Sequence, residues 1–292
     1  MSPSLSSLLL ALCVCLCAYS SAGVASKLGR VAVFGASGGV GQQICSQLVK
    51  ANYKVTAVSR NPSKLVEFPL LVGCDTVAAD ARVPETLPPA LAGLQHLVIC
   101  VGTTAFPTSK WEGGNTPQAA CYDTVVNILS ALRDLPVSDR PQRIALLSSI
   151  GVERRDAFPF KILNLYGVLE WKRRSEEVLL EQSAELGITP IVCRPGRLVG
   201  APFTNFDLAK LLNKDQGSDL GIILDTRDVL AGDVERADVA QSVVRMLGAN
   251  LVGPVNYSII NKPGEAPGEA DWGRLLSLFT VSQEDLLTTR SS

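Results

Sequence analysis

Residues Val31-Ala-Val-Phe-Gly35-Ala-Ser-Gly38-Gly-Val-Gly41 decide the fold of this chain. An apolar run, Val31 to Phe34, meets a glycine-rich turn, and a helix-like stretch, Gln42 to Lys50, follows it. Strand, glycine turn and helix in that order form a phosphate cradle. The turn leaves backbone N–H groups unpaired at a helix N-terminus, where the dipole also favours an anion. The spacing assigns Gly35 to the tight turn, Gly38 to the approach of a pyrophosphate and Gly41 to close helix–strand packing. Ser37, Gly39 and Val40 complete the predicted cradle.

The next strand bears on the choice of nucleotide. Lys54-Val-Thr-Ala-Val-Ser59 ends roughly 20 residues on, where NAD-preferring sites carry an Asp or Glu for the ribose 2′-hydroxyl. This chain has Ser59-Arg60 there, and its first acidic residue is Glu67. A guanidinium matches a 2′-phosphate in geometry and keeps its charge. Arg60, with Ser37 and Lys64 as helpers, therefore predicts NADP(H) as the cofactor. The alternative is that Arg60 is a solvated charge at a strand end.

Strand-like and helix-like segments alternate along the chain. Strands are predicted at Asp75–Ala79, His96–Val101, Arg143–Leu147 and Thr189–Cys193, with helices over 83–94, 116–133 and 167–186. Alternation of this kind predicts an α/β chain with a Rossmann-like, doubly wound parallel sheet. The last third reads as a small, irregular C-terminal substrate region, with Asp271 as a candidate helix cap. Gly35, Arg60, Asp80, Gly102 and Ser148 each follow a strand end, so the topology gathers them in one crevice.

Bulk properties fit one sizeable core. The chain has 292 residues, a net charge of −1 and 47% hydrophobic content, which gives no sign of a nucleic-acid partner. Leu8 to Ala18 is a short apolar core followed by small residues. It reads as a signal or targeting segment over residues 1–25, with an uncleaved anchor as the alternative. Residues 26–292 are then expected to form one NAD(P)-binding domain with no membrane span. Cys13, Cys15 and Cys17 fall in the leader. Cys45, Cys74, Cys100, Cys121 and Cys193 are unevenly spaced and read as reduced thiols. No metal-binding pattern is present. A leader before a reduced-type domain fits entry to the secretory route and, in a host with a secondary plastid, delivery to that plastid. Otherwise the endomembrane lumen or secretion is expected.

The glycine turn, Ser59-Arg60-Asn-Pro62, Leu147-Ser-Ser-Ile-Gly151, Leu165-Tyr-Gly-Val-Leu-Glu-Trp-Lys172, Arg194-Pro-Gly196, Arg236-Ala-Asp-Val-Ala240 and Asp271-Trp272 occur in one order. In this the chain resembles the atypical short-chain dehydrogenases/reductases of the NAD(P)H-binding, NmrA-like family. It is most similar to the plastid branch that includes a dehydrogenase-like subunit of the import translocon. The resemblance implies bound NADP(H), with Lys172 and Arg194 in the cofactor set. It implies no single reaction, because members include reductases, isomerases and redox regulators.

The wider superfamily pairs Tyr and Lys as Y-x-x-x-K, the tyrosine moving the proton and the lysine lowering its pKa. Here the position four before Lys172 is Val168, and Tyr166 lies two residues earlier. Ser148, Ser149, Lys172 and Tyr166 remain the candidate catalytic residues. Two functions follow. One is an NADP(H)-dependent oxidoreductase acting on a small or moderately apolar carbonyl or alkene. The other is a non-catalytic NADP(H) sensor whose affinity for a protein partner reports cofactor redox state.

Overall fold

A computed structural model describes residues 28–202 and 220–280. The predicted leader, with Cys13, Cys15 and Cys17, lies outside the described residues. The strands are β1 (Leu28–Phe34), β2 (Tyr53–Ser59), β3 (Asp75–Ala78), β4 (His96–Ile99), β5 (Arg143–Leu147), β6 (Thr189–Pro195), β7 (Arg197–Val199), β8 (Gly221–Asp225), β9 (Asp233–Glu235) and β10 (Val255–Lys262). The principal helices are α1 (Gly39–Lys50), α2 (Thr124–Arg133), α3 (Val168–Leu186), α4 (Arg236–Gly248) and α5 (Glu269–Leu276).

The main sheet runs β3-β2-β1-β4-β5-β6-β10-β8. Its strands are parallel except β8, which pairs antiparallel with β10. The Rossmann-like reading is met, and the C-terminal third extends the sheet by two strands. Strand order reverses between β1 and β4, so a crevice opens beyond their carboxyl ends. In register, Phe34 faces Val58 on one side and Ile99 on the other. The first three loops of the crevice therefore start at one level.

The period-2 alternation of β1 sends its side chains to opposite faces. Val31 and Val33 pack with Ile44 and Leu48 of α1, Val243 and Met246 of α4, and Trp272 of α5. Ala32 and Phe34 pack with Ile128 and Leu132 of α2 and Leu179 of α3. Both faces are covered, which is why the central strands read as unbroken apolar runs.

Several boundaries differ from the sequence reading. The first helix starts at Gly39, not Gln42, because Gly39 and Gly41 leave room for its first turn against neighbouring backbone. The segment 83–94 is a 3₁₀ turn, Pro84–Thr86, and a single helical turn, Pro88–Leu91; proline tolerates only the first turn of a helix. A π-helical turn, Gln118–Asp123, precedes α2. Asp271 is not the N-cap of α5. It sits in the first turn and accepts the Gly268 N–H at 3.0 Å.

Candidate functional site

The glycine turn leaves β1 through Gly35, whose φ of +87° lies in the left-handed region. Gly38 N–H donates to the Gly35 carbonyl at 3.0 Å and closes the turn. A side chain at Gly41 would put its Cβ 2.2 Å from the Gly35 carbonyl oxygen, so the close approach requires glycine. The first turn of α1 carries no acidic residue. Nothing there opposes an incoming anion, and the aligned amides favour one.

Two cavities of about 360 and 340 Å³ flank this turn. The first is lined by Gly35, Ser37, Gly38, Arg60, Asp80 and Gly102. The second is lined by Gly38, Gly39, Val40, Gly41, Gly102, Ser148, Ser149 and Lys172. Gly38, Cys100, Val101, Gly102 and Lys110 belong to both, so the cavities form one groove across the turn. Its combined size suits an elongated ligand with two ends.

At the first end Asp80 is locked by a residue the sequence reading did not single out. Arg82 donates to the Asp80 carboxylate from Nε at 3.0 Å and Nη2 at 2.7 Å, and its backbone N–H adds a third bond at 3.0 Å. These hydrogen bonds hold the Asp80 carboxyl below its ordinary range, with a further push from the charge of Arg60. Asp80 is therefore a charged acceptor at neutral pH. Arg60 is exposed at the cavity wall, the position its place after β2 predicts. Arg60→Glu is expected to invert a preference for NADPH over NADH by about tenfold or more, since charged hydrogen bonds are lost and a repulsion is gained. Dissociation constants for the two nucleotides check this; an unchanged ratio removes Arg60 from the site.

At the second end the β5 loop is built by pairing with β6. Ser148 N–H donates to the Cys193 carbonyl at 2.7 Å and Ile150 N–H to the Pro195 carbonyl at 3.1 Å. Lys172, one turn into α3, donates from Nζ to the Leu147 and Ser148 carbonyls, both at 3.2 Å. The ammonium thus sits at the mouth of β5. The Ser148 hydroxyl is buried and has no hydrogen-bond partner, whereas Ser149 Oγ donates to the Ile150 carbonyl at 2.9 Å. An unpaired buried hydroxyl is costly and marks a group that a ligand or water satisfies. Thr103, also in this cavity, has a second such hydroxyl and was not foreseen. Burial raises the Cys100 thiol to about 12, so this cavity-lining cysteine stays protonated at neutral pH.

Two predicted residues are placed elsewhere. Tyr166 lines neither cavity. It precedes α3, is half exposed, and stacks edge-to-face on Trp111 at 5.9 Å and Phe106 at 6.1 Å. Because α3 begins at Val168, after the left-handed Gly167, Tyr166 is free of the helical phase, yet its ring is engaged in this aromatic cluster. Arg194 is also outside the groove. Its guanidinium, 1% exposed, forms a bidentate pair with Glu176 at 3.0 and 2.7 Å and reaches Glu153 at 2.9 Å. Its motif is a structural clamp between β6 and α3. Among the described residues no group of His, Cys, Asp and Glu is arranged to hold a metal ion.

A parallel sheet with a glycine cradle and a two-ended groove at its switch point defines a dinucleotide-binding protein. The sequence pattern of the NAD(P)H-binding family matches residues 35–250, and the chain belongs to that family. Among curated proteins it is 28% identical over 183 residues to Protein TIC 62, chloroplastic, of Arabidopsis thaliana, and 29% identical over 188 residues to its counterpart in Pisum sativum. Each match covers 57% of this chain but only 27% and 32% of those longer proteins. Among solved structures, the oxidoreductase ylbE of Lactococcus lactis superposes with a TM-score of 0.63 at 18% identity, over 87% of this chain and 100% of that one. Vestitone reductase of alfalfa gives 0.53 at 20% identity, over 86% and 82%. Both likenesses concern the fold.

Proposed function

We propose that this chain is an NADP(H)-dependent oxidoreductase acting on a small or moderately apolar carbonyl or alkene. The observation that carries the reading is the second cavity, where Lys172 and the unpaired Ser148 hydroxyl face the continuation of the glycine cradle. The residues fit the cofactor: the turn holds the pyrophosphate, Arg60 the 2′-phosphate, Asp80 the adenosine end and Lys172 the nicotinamide ribose. When bound, the reduced nicotinamide supplies a hydride. Ser148 orients the substrate oxygen by a hydrogen bond. Lys172, freed of one carbonyl, donates to the ribose and stabilises charge developing on that oxygen. Water or Lys172 delivers the proton, because no tyrosine among the described residues lines this end of the groove.

The test is a screen of quinones, enones and aldehydes for NADPH oxidation by the full chain. Turnover of one of them is expected, with Lys172→Ala lowering kcat about 100-fold. Normal kcat in that variant removes Lys172 from the mechanism.

A second reading keeps the cofactor without turnover. Val168 stands four residues before Lys172, where the superfamily has its proton donor, and Tyr166 is engaged outside the groove. In that case NADP(H) regulates a protein partner. Cofactor binding with no oxidation of any screened substrate favours it. The chloroplastic relatives support a plastid location, with residues 1–25 as a targeting segment and 26–292 as one domain. No helix among the described residues is long and apolar enough to cross a membrane.

A further inference from the structure

Arg236 opens the Arg236-Ala-Asp-Val-Ala240 motif and lines the second cavity beside the glycine turn. It is the first residue of α4, and its side chain is only 2% exposed. Two contacts place the start of α4, one with the third turn of α1 and one with the residue that follows β7. Gln47 of α1 donates to the carbonyl of neighbouring Ala237 at 2.8 Å, and Arg236 Nη1 donates to the Gly200 carbonyl. The approach is so close that a Cβ at Gly39 would lie 2.8 Å from Arg236 Nε. Gly39 is the glycine of this turn outside the three-glycine spacing, and its missing side chain makes room both for the Pro202 carbonyl oxygen, which such a Cβ would meet at 2.3 Å, and for the guanidinium.

We infer that Arg236 is a pyrophosphate ligand, a buried cation that grips the dinucleotide from the α4 side while the turn amides grip it from the α1 side. The inference rests on the dinucleotide reading of the groove and is independent of the 2′-phosphate reading. The pyrophosphate belongs at Gly38, where the two cavities join, and Gly39 and Arg236 follow directly in the second cavity. A guanidinium presents planar donors that match two phosphate oxygens. In a buried wall its attraction for them is screened less than at the surface.

The experiment titrates the full chain and its Arg236→Gln variant with NADPH and with NADH. Both nucleotides carry the pyrophosphate. The variant is expected to lose affinity for each by the same factor, about 10- to 100-fold, leaving their ratio as in the wild type. Unchanged affinity in the variant overturns the inference while the dinucleotide reading stands. No binding of either nucleotide by the wild type overturns both. A crystal structure of the wild-type chain with NADPH decides the contact itself, whether or not the variant folds. Arg236 Nε or Nη within about 3.5 Å of a pyrophosphate oxygen is the expected result, and a guanidinium turned away from both phosphates overturns it.

Discussion

Gly38→Val is expected to abolish dinucleotide binding, raising the dissociation constant on the order of 100-fold or more while the chain still folds. The two effects separate because of where the new side chain points. Gly38 has φ −74° and ψ 158°, an extended conformation open to any residue. A Cβ there meets only the Gly35 carbonyl oxygen, at 3.3 Å, which a shift of a few tenths of an ångström relieves. The branched methyls then enter the space shared by both cavities, where the pyrophosphate must touch backbone. Titration with NADPH checks affinity, and a thermal melt checks the fold. A folded variant that binds as the wild type does would show that the ligand lies elsewhere.

Arg194→Met is expected to have the largest effect on stability, about 3–5 kcal/mol. Removing the guanidinium leaves the carboxylate of Glu176, fully buried, without its bidentate partner. Arg173 still approaches Glu176 at 3.2 Å, so the loss should fall toward the lower end of that range. The double variant Arg194→Met, Glu176→Leu should recover much of it, because both charges then leave the interior together. Urea unfolding of the two variants measures the difference. A single variant as stable as the wild type would contradict the clamp role assigned to Arg194.

The contrast between these two sites shows what the sequence reveals of the structure. Local signals were legible where backbone chemistry decides the outcome. Gly35 and Gly41 announce a turn and a close contact, and the apolar runs of β1, β4 and β5 announce strands buried on both faces. Arg60 was singled out because a parallel sheet delivers every strand end to one edge, and Lys172, which lies on α3, through the family resemblance. Arg194 misled for a different reason. Its partner Glu176 lies on a helix eighteen residues away, and no spacing rule distinguishes a guanidinium turned into the core from one turned into the crevice. Arg82 and Arg236 were missed on the same grounds, since their roles depend on Asp80 and on the packing of α4 against α1. Tyr166 depended on where α3 begins. Gly167 in the left-handed region sets that start at Val168, and aromatic neighbours from a distant loop set the ring.

The central claim is that the cradle and Arg60 together hold a 2′-phosphorylated dinucleotide. Calorimetric titration of the folded chain with NADPH and NADH tests it most directly. One NADPH per chain, bound at least about tenfold more tightly than NADH, is the predicted result. Equal affinities would refute the part assigned to Arg60, and no heat with either nucleotide would refute the site.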